Sequence, residues 1–225
     1  LDFAIPRGTI TGIVGESGSG KSTLGRCLVR LYRPTAGEIL FDGQDIAGLE
    51  GPALARLRRD LQMIFQDPMS SLNPRHRIGR IIRGPLQVNG LTDDLETKVS
   101  DALRHAQLPE TAAARYPHQL SGGQRQRVGI ARAIALTPRF IVADEIVSGL
   151  DVSTQAQIIT LLERLVAEMG LTMAFISHDL SVIRRLCSHV IVLQGGEIVE
   201  QGETAPIFEA PAHPYTRTLR DAIPL

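Results

Sequence analysis

Short apolar runs of the strand type alternate along this chain with longer stretches whose apolar residues recur at helical spacing. Thr9–Val14 runs directly into a glycine-rich turn, and Lys21–Tyr32 then places Leu24, Cys27, Leu28 and Leu31 on one helical face. Leu1–Ile5 and Gly37–Asp42 read as further strands, Pro52–Arg59 as a helix, and Leu61–Phe65 as a strand that ends at Gln66. From Asp67 the pattern changes. Residues 67–90 carry Pro68, Asn73, Pro74, Gly79, Gly84, Pro85 and Gly90 with arginines interleaved, and no strand pattern returns until Phe140. Within this stretch Thr92–Gln107 carries a helical stripe of Leu95, Val99, Ala102, Leu103 and Ala106, and Ser121–Leu136 reads as a second strong helix.

Beyond it, Phe140–Ala143 is a wholly apolar strand of the buried parallel kind. Val152–Met169 is a long helix with Ile158, Leu161, Leu162, Leu165 and Met169 inward. Leu171–Ile176 is a strand and Leu180–Cys187 a helix, and Val190–Leu193 with Glu197–Glu200 form a hairpin around Gly195-Gly196. A last short helix begins within Pro211-Ala212-His213-Pro214-Tyr215-Thr216-Arg217. The organisation expected is an α/β core over 1–66 and 138–205, a helical insert over 67–137 and a helical tail over 206–225. No internal repeat or low-complexity tract interrupts it.

Composition narrows the picture. With 225 residues, 43% hydrophobic and 21% charged, the chain has the make-up of one ordinary globular domain. Its 24 basic and 24 acidic residues cancel, so no nucleic-acid partner is expected. No apolar run reaches the ~18 residues of a membrane helix. No secretory leader pattern opens the chain, so a link to a membrane is expected to run through a partner. Cys27 and Cys187 sit in apolar helical contexts and read as reduced core thiols. Lys21 and Lys98 are the only lysines, so a lysine in the glycine-rich turn is not compositional background.

That turn, Gly15-Glu16-Ser17-Gly18-Ser19-Gly20-Lys21-Ser22, fits the phosphate-loop pattern, in which a strand enters and a helix leaves. Glycines let backbone N–H groups converge on phosphate oxygens, and the helix N-terminus adds its positive end. Lys21 would reach the β- and γ-phosphates, the Ser22 hydroxyl would bind Mg²⁺, and Thr23 completes the nucleotide-binding stretch. A second constellation lies at Asp144-Glu145, where an apolar strand delivers two acids. Asp144 would stand beside the metal, and Glu145 is the candidate general base for a water attacking the γ-phosphorus. Alone, an apolar strand ending in acids is usually a solvated strand end. The phosphate loop makes the functional reading the stronger one.

The order of phosphate loop, Gln66, Leu120-Ser121-Gly122-Gly123-Gln124, Asp144-Glu145, Ser148-Gly149-Leu150-Asp151 and His178 resembles the nucleotide-binding domain of ABC transporters over essentially the whole chain. The resemblance implies a P-loop NTPase core with a mostly parallel sheet, an antiparallel N-terminal β part and a helical subdomain. It implies ATP and Mg²⁺, with Ser22, Gln66 and Asp144 near the metal and Glu145, Gln66 and His178 in catalysis. Ser121, Gly122, Gly123 and Gln124 would face the γ-phosphate of ATP held by a second ABC ATPase domain, identical, paralogous or fused, in a head-to-tail pair. Ser121 also reads as a simple helix N-cap. Two departures stand out: the family usually has Pro where this chain has Ile146, and Ala where it has Gly149. Both are expected to loosen the segment that aims Glu145. The resemblance implies an adenine-stacking aromatic about thirty residues before Lys21, which would fall outside this sequence, with Phe3 expected in the core, so the N-terminal edge of the domain is expected to be missing.

Gln66-Asp67-Pro68-Met69-Ser70-Ser71-Leu72-Asn73-Pro74-Arg75 and His213-Pro214-Tyr215-Thr216-Arg217 resemble the oligopeptide/dipeptide importer branch, which includes nickel and glutathione uptake systems. The resemblance implies an ATPase subunit peripheral to the cytoplasmic face of the inner membrane. Its expected partners are transmembrane permease subunits and, indirectly, an extracytoplasmic solute-binding protein. Residues 67–88 would receive the permease, with Arg75, Arg77, Arg80 and Arg83 as contacts or as a plain solvated face. The rival readings are an ABC ATPase without transport and a nucleotide-gated binding module with weak hydrolysis.

Overall fold

A computed structural model describes residues 1–222. In chain order it contains β1 (Ile10–Val14), α1 (Lys21–Leu28), β2 (Leu40–Phe41), β3 (Gln44–Asp45), α2 (Gly51–Asp60), β4 (Leu61–Ile64), α3 (Pro68–Ser71), α4 (Ile78–Val88) and α5 (Leu95–His105). Short 3₁₀ turns at Glu110–Ala114 and Pro117–Gln119 lead to α6 (Gly122–Ile134). Then come β5 (Phe140–Asp144), α7 (Val152–Met169), β6 (Thr172–Ile176), α8 (Leu180–Leu186), β7 (His189–Gln194), β8 (Glu197–Glu203), α9 (Thr204–Glu209) and α10 (Pro214–Asp221).

The main sheet has the order β4-β5-β6-β1-β7-β8, parallel throughout except for β8, which turns back on β7. Because side chains alternate across a strand, each central strand feeds two cores. Ile141, Ala143, Met173, Phe175, Val190 and Val192 face one side, under α6, α7 and α8. Val142, Ala174, Ile176, Ile13 and Leu193 face the other. On that second side α1 approaches closely at Gly25, where a Cβ would lie 2.8 Å from Ile176 Cδ1 and 2.9 Å from Val142 Cγ1. This close approach sets Lys21 and Ser22 against the carboxyl edge of the sheet. A third group of buried residues, among them Leu72, Ile78, Ile82, Leu86, Leu103 and Val128, packs around α4, α5 and the outer face of α6.

Three elements differ from the sequence-based expectation. Leu1–Ile5 forms no strand. Leu1 is exposed, and Asp2 is held through its carbonyl by the Gln201 side chain rather than by a ladder. Antiparallel pairing in the N-terminal third is instead the β2–β3 hairpin, turned at Asp42-Gly43, both in the left-handed region (φ 50° and 78°). Asp-Gly is the dipeptide that such a two-residue turn demands. The third difference is α4, which forms across Gly79, Gly84 and Pro85. Ile78, Ile81, Ile82 and Leu86 make a buried stripe at helical spacing. Gly79 lets the helix meet Ala113, whose carbonyl would stand 3.2 Å from an added Cβ. Tertiary burial here outweighs the local cost of a proline near the helix end.

Candidate nucleotide site

Four adjacent strands end at one edge of the sheet, and each delivers a site residue there. Gln66 follows β4, Asp144 ends β5 with Glu145 next, His178 follows β6, and Gly15 follows β1. The carboxyl edge of a parallel sheet is where α/β folds place ligands.

The phosphate loop is shaped by contacts that exclude side chains at one position and open the backbone at others. A Cβ on Gly15, whose φ is 149°, would lie 2.1 Å from the Leu193 carbonyl oxygen. Gly15→Ala is therefore expected to cost about 2–4 kcal/mol, lowering the melting temperature by roughly 5–15 °C. An unchanged thermal unfolding midpoint would mean that the loop sits elsewhere in solution. Gly18 and Gly20 (φ 82° and 98°) meet no protein atom within 4 Å at a built Cβ, so the loop is open in front of them. The buried Lys21 ammonium donates to Gly15 O (2.8 Å), Glu16 O (2.7 Å) and, more weakly, Ser19 Oγ (3.4 Å). Burial lowers the Lys21 pKa, against the attraction of Glu145 and Asp144.

Ser22 Oγ donates to Asp144 Oδ1 at 3.0 Å, joining the first turn of α1 to the end of β5. Burial pushes the Asp144 carboxyl above its ordinary value. The Ser22 hydroxyl and the Arg26 guanidinium pull it down, while Glu145 adds to the rise. Arg26 is a charge that motif spacing alone did not flag. Lying one helical turn beyond Ser22, it could have been found by reading α1 as a face. Next to this pair, Gln66 Nε2 donates to Glu145 Oε2 at 3.0 Å, and His178 Nδ1 stands 3.4 Å from Glu145 Oε1. Glu145 thus has a contact on each carboxylate oxygen. Its own backbone lies in the left-handed region (φ 48°), uncommon for a residue with a side chain. Its N–H bonds the Ile176 carbonyl at 2.9 Å, and its carbonyl accepts from the Ser148 N–H at 3.1 Å.

The loosening expected at Ile146 does not match the packing. Ile146 is 1% exposed and lies in the main core beside Val147, so burial anchors the segment where a proline ring would have stiffened it. Gly149 has φ 74°, a conformation that an alanine would adopt only under strain. The segment ends at Asp151, which caps α7 by accepting from Thr154 N (2.9 Å) and Thr154 Oγ1 (2.6 Å). Gln155 Nε2 reaches Asp179 Oδ2 at 3.3 Å, tying the start of α7 to the loop that carries His178. A cleft of about 120 Å³ lies between these two loops.

Ser121 to Gln124 lie apart from this cluster. Ser121 is exposed and caps α6 in a reciprocal box. Gln124 N donates to Ser121 Oγ (3.2 Å), and Ser121 N to Gln124 Oε1 (3.0 Å). Among the described residues, no hydrogen bond runs from these four to the phosphate-loop cluster. Their link to it is packing: a Cβ on Gly123 would lie 2.4 Å from Thr154 Cγ2, so this turn rests on the first turn of α7. Of Arg75, Arg77, Arg80 and Arg83, the first three are exposed, Arg77 lying over the Tyr116 ring, and Arg83 is half-buried and pairs with Glu96.

Residues 1–148 match the ABC transporter family, and residues 199–225 match the oligopeptide/dipeptide transporter C-terminal region. The chain is 51% identical over 226 residues to a Brucella ovis ATP-binding protein named for peptide import, covering 100% of this chain and 71% of that protein. It is 48% identical over 228 residues to the oligopeptide transport ATP-binding protein AppF of Bacillus subtilis, covering 100% and 69%. Among solved structures it resembles cbiO1 of Clostridium perfringens, part of the ABC transporter complex cbiONQ (TM-score 0.84, 30% identity, 93% of this chain and 83% of that one). It also resembles a dimeric ATP-binding cassette in a post-hydrolysis state bound to ADP and Pi (TM-score 0.80, 34% identity, 90% and 88%). With a glycine-rich loop and paired acids at the edge of this sheet, a Ser-Gly-Gly-Gln turn opening α6, and these matches across its length, the chain belongs to the ABC transporter family.

Proposed function

We propose that this chain is the ATP-hydrolysing subunit of an ABC importer for peptides or related small solutes, acting as a head-to-tail pair of ATPase domains. The observation that carries the reading is the Glu145 carboxylate, held between Gln66 and His178 beside the Ser22–Asp144 pair and Lys21. ATP lies on the phosphate loop with its β- and γ-phosphates at Lys21, whose positive charge the triphosphate favours. The residues fit Mg²⁺: a hydroxyl and a carboxylate 3.0 Å apart are hard oxygen ligands. Among the described residues there is no cage of three or more His, Cys, Asp or Glu side chains. Bound there, Mg²⁺ would neutralise charge on the β- and γ-oxygens.

Glu145 accepts a proton from, or polarises, the water that attacks the γ-phosphorus. Gln66 holds one Glu145 oxygen and, at the root of the helical segment, links that position to residues 67–88, the proposed seat for the permease. His178, whose side chain is 61% exposed, is free to turn its ring toward a γ-phosphate oxygen. The exposed Ser121 turn caps the ATP of the second domain with its hydroxyl and the N–H groups that open α6. Among the described residues no helix is long and apolar enough to cross a membrane. The proposed location is peripheral, at the cytoplasmic face, through permease partners that also engage a solute-binding protein.

The paired arrangement is testable in solution. With ATP, a Glu145→Gln chain is expected to elute at the mass of a dimer, and a further Ser121→Arg change to return it to the monomer. A dimer that survives Ser121→Arg, or turnover that stays constant per chain at any dilution, would overturn the composite site.

A further inference from the structure

The His213–Arg217 stretch plays no part in the chemistry described so far, yet it is tightly held. Glu200 on β8 accepts from Ala212 N through Oε1 (2.8 Å) and from His213 N through Oε2 (3.1 Å). Arg217 Nε donates to Pro211 O at 2.9 Å, and His213 Nδ1 accepts from Tyr215 N at 3.2 Å, capping α10. These bonds fix the first turn of α10. They direct Tyr215, only 7% exposed, through the main core, with its hydroxyl at the phosphate loop. There Tyr215 Oη accepts from the Glu16 N–H at 2.8 Å, across 199 residues of sequence.

The Glu16 N–H belongs to the same peptide unit as the Gly15 carbonyl, which accepts from Lys21 Nζ at 2.8 Å. One peptide therefore bridges Tyr215 and Lys21. Rotated by half a turn, that peptide would aim its N–H at the Lys21 ammonium and lose both bonds. Gly15 has no Cβ, so no side chain of its own opposes such a rotation. Glu16 is exposed and supplies no packing against it.

We propose that Tyr215 is a positioning residue for the nucleotide site: it locks the Gly15–Glu16 peptide in the orientation that places Lys21, and so makes the C-terminal segment an input to ATP affinity. The inference rests on the reading of this loop as an ATP site. Adjacent dipoles in such a chain of hydrogen bonds reinforce one another. Loss of the Tyr215 bond frees the peptide to sample the unproductive orientation, which weakens binding without altering the catalytic cluster at Glu145.

The test is calorimetric titration of the full chain with Mg-ATP, together with steady-state turnover, for wild type and Tyr215→Phe. The phenylalanine keeps the ring in the core and removes only the hydroxyl. The ATP dissociation constant and KM are expected to rise about three- to tenfold, the worth of one hydrogen bond, with kcat within about twofold. A lower kcat at unchanged KM would mean only a smaller active fraction, and that outcome overturns the proposal, as does unchanged affinity. If Tyr215→Phe does not fold, Glu200→Gln decides. It weakens the acceptors that hold 212–213 while leaving Tyr215 and the phosphate loop themselves unchanged; weakened ATP binding supports the proposal and wild-type binding overturns it. A wild-type chain that binds no ATP refutes the ATP-site reading itself, separately from the role of Tyr215.

Discussion

Glu145→Gln is expected to lower ATP turnover by about 10²- to 10⁴-fold, the range by which a positioned general base accelerates proton transfer. The amide fills the space of the carboxylate and still offers one oxygen to Gln66 Nε2, so the 3.0 Å contact can survive. What it cannot do is accept the proton of the attacking water. ATP affinity should stay within about threefold of wild type, because Glu145 does not hold the phosphates. Phosphate release measured under saturating ATP, on the chain in its native complex, gives the answer. Turnover at the wild-type rate would remove Glu145 from the role of base.

Lys21→Ala is expected to weaken ATP binding by roughly 10²- to 10³-fold. Charged hydrogen bonds contribute about 1.5–3 kcal/mol each, and the ammonium is placed to make more than one to the β- and γ-phosphates. The effect on folding should be much smaller. Burial already disfavours the Lys21 charge, so its removal relieves a desolvation cost while leaving Gly15 O and Glu16 O without their donor. A titration with Mg-ATP separates the two effects from a parallel melting curve. Affinity within threefold of wild type would show that the phosphates do not rest on this loop as proposed.

The two substitutions act on groups legible in the sequence alone, because local motifs point to them. A strand, a glycine-rich turn and a helix beginning Lys-Ser form a local pattern suited to phosphate, and an apolar strand ending in Asp-Glu places carboxylates at a strand end. The ends of β4, β5, β6 and β1 were each legible in the same way. Their meeting follows from the strand order β4-β5-β6-β1, which places their carboxyl ends side by side. The β2–β3 hairpin was within reach too, since Asp42-Gly43 is its signal, but a two-residue strand carries too little pattern to stand out.

Other features had no local signal. α4 forms against its own glycines and proline because Ile78, Ile81, Ile82 and Leu86 are buried by α5, α6 and the turn at Ala113. Leu1–Ile5 has strand composition, but among the described residues it pairs with no strand, so composition misleads there. Ile146 reads as a loosening substitution when compared with proline alone. The core it enters shows that it anchors the turn by burial instead.

What this sequence determined by itself was the set of candidate groups: those proposed to bind phosphate, those proposed to take a proton, and most of the strands and helices that carry them, since these depend on residues a few positions apart. What only the tertiary structure decided was how distant groups constrain one another. Glu145 gains a contact on each oxygen from residues in the loops after β4 and β6, Gly123 rests on Thr154, and Tyr215 reaches the Glu16 amide across 199 residues of sequence. Such pairings depend on the packing of the sheet and its helices, a property of the whole chain that no short stretch of it encodes.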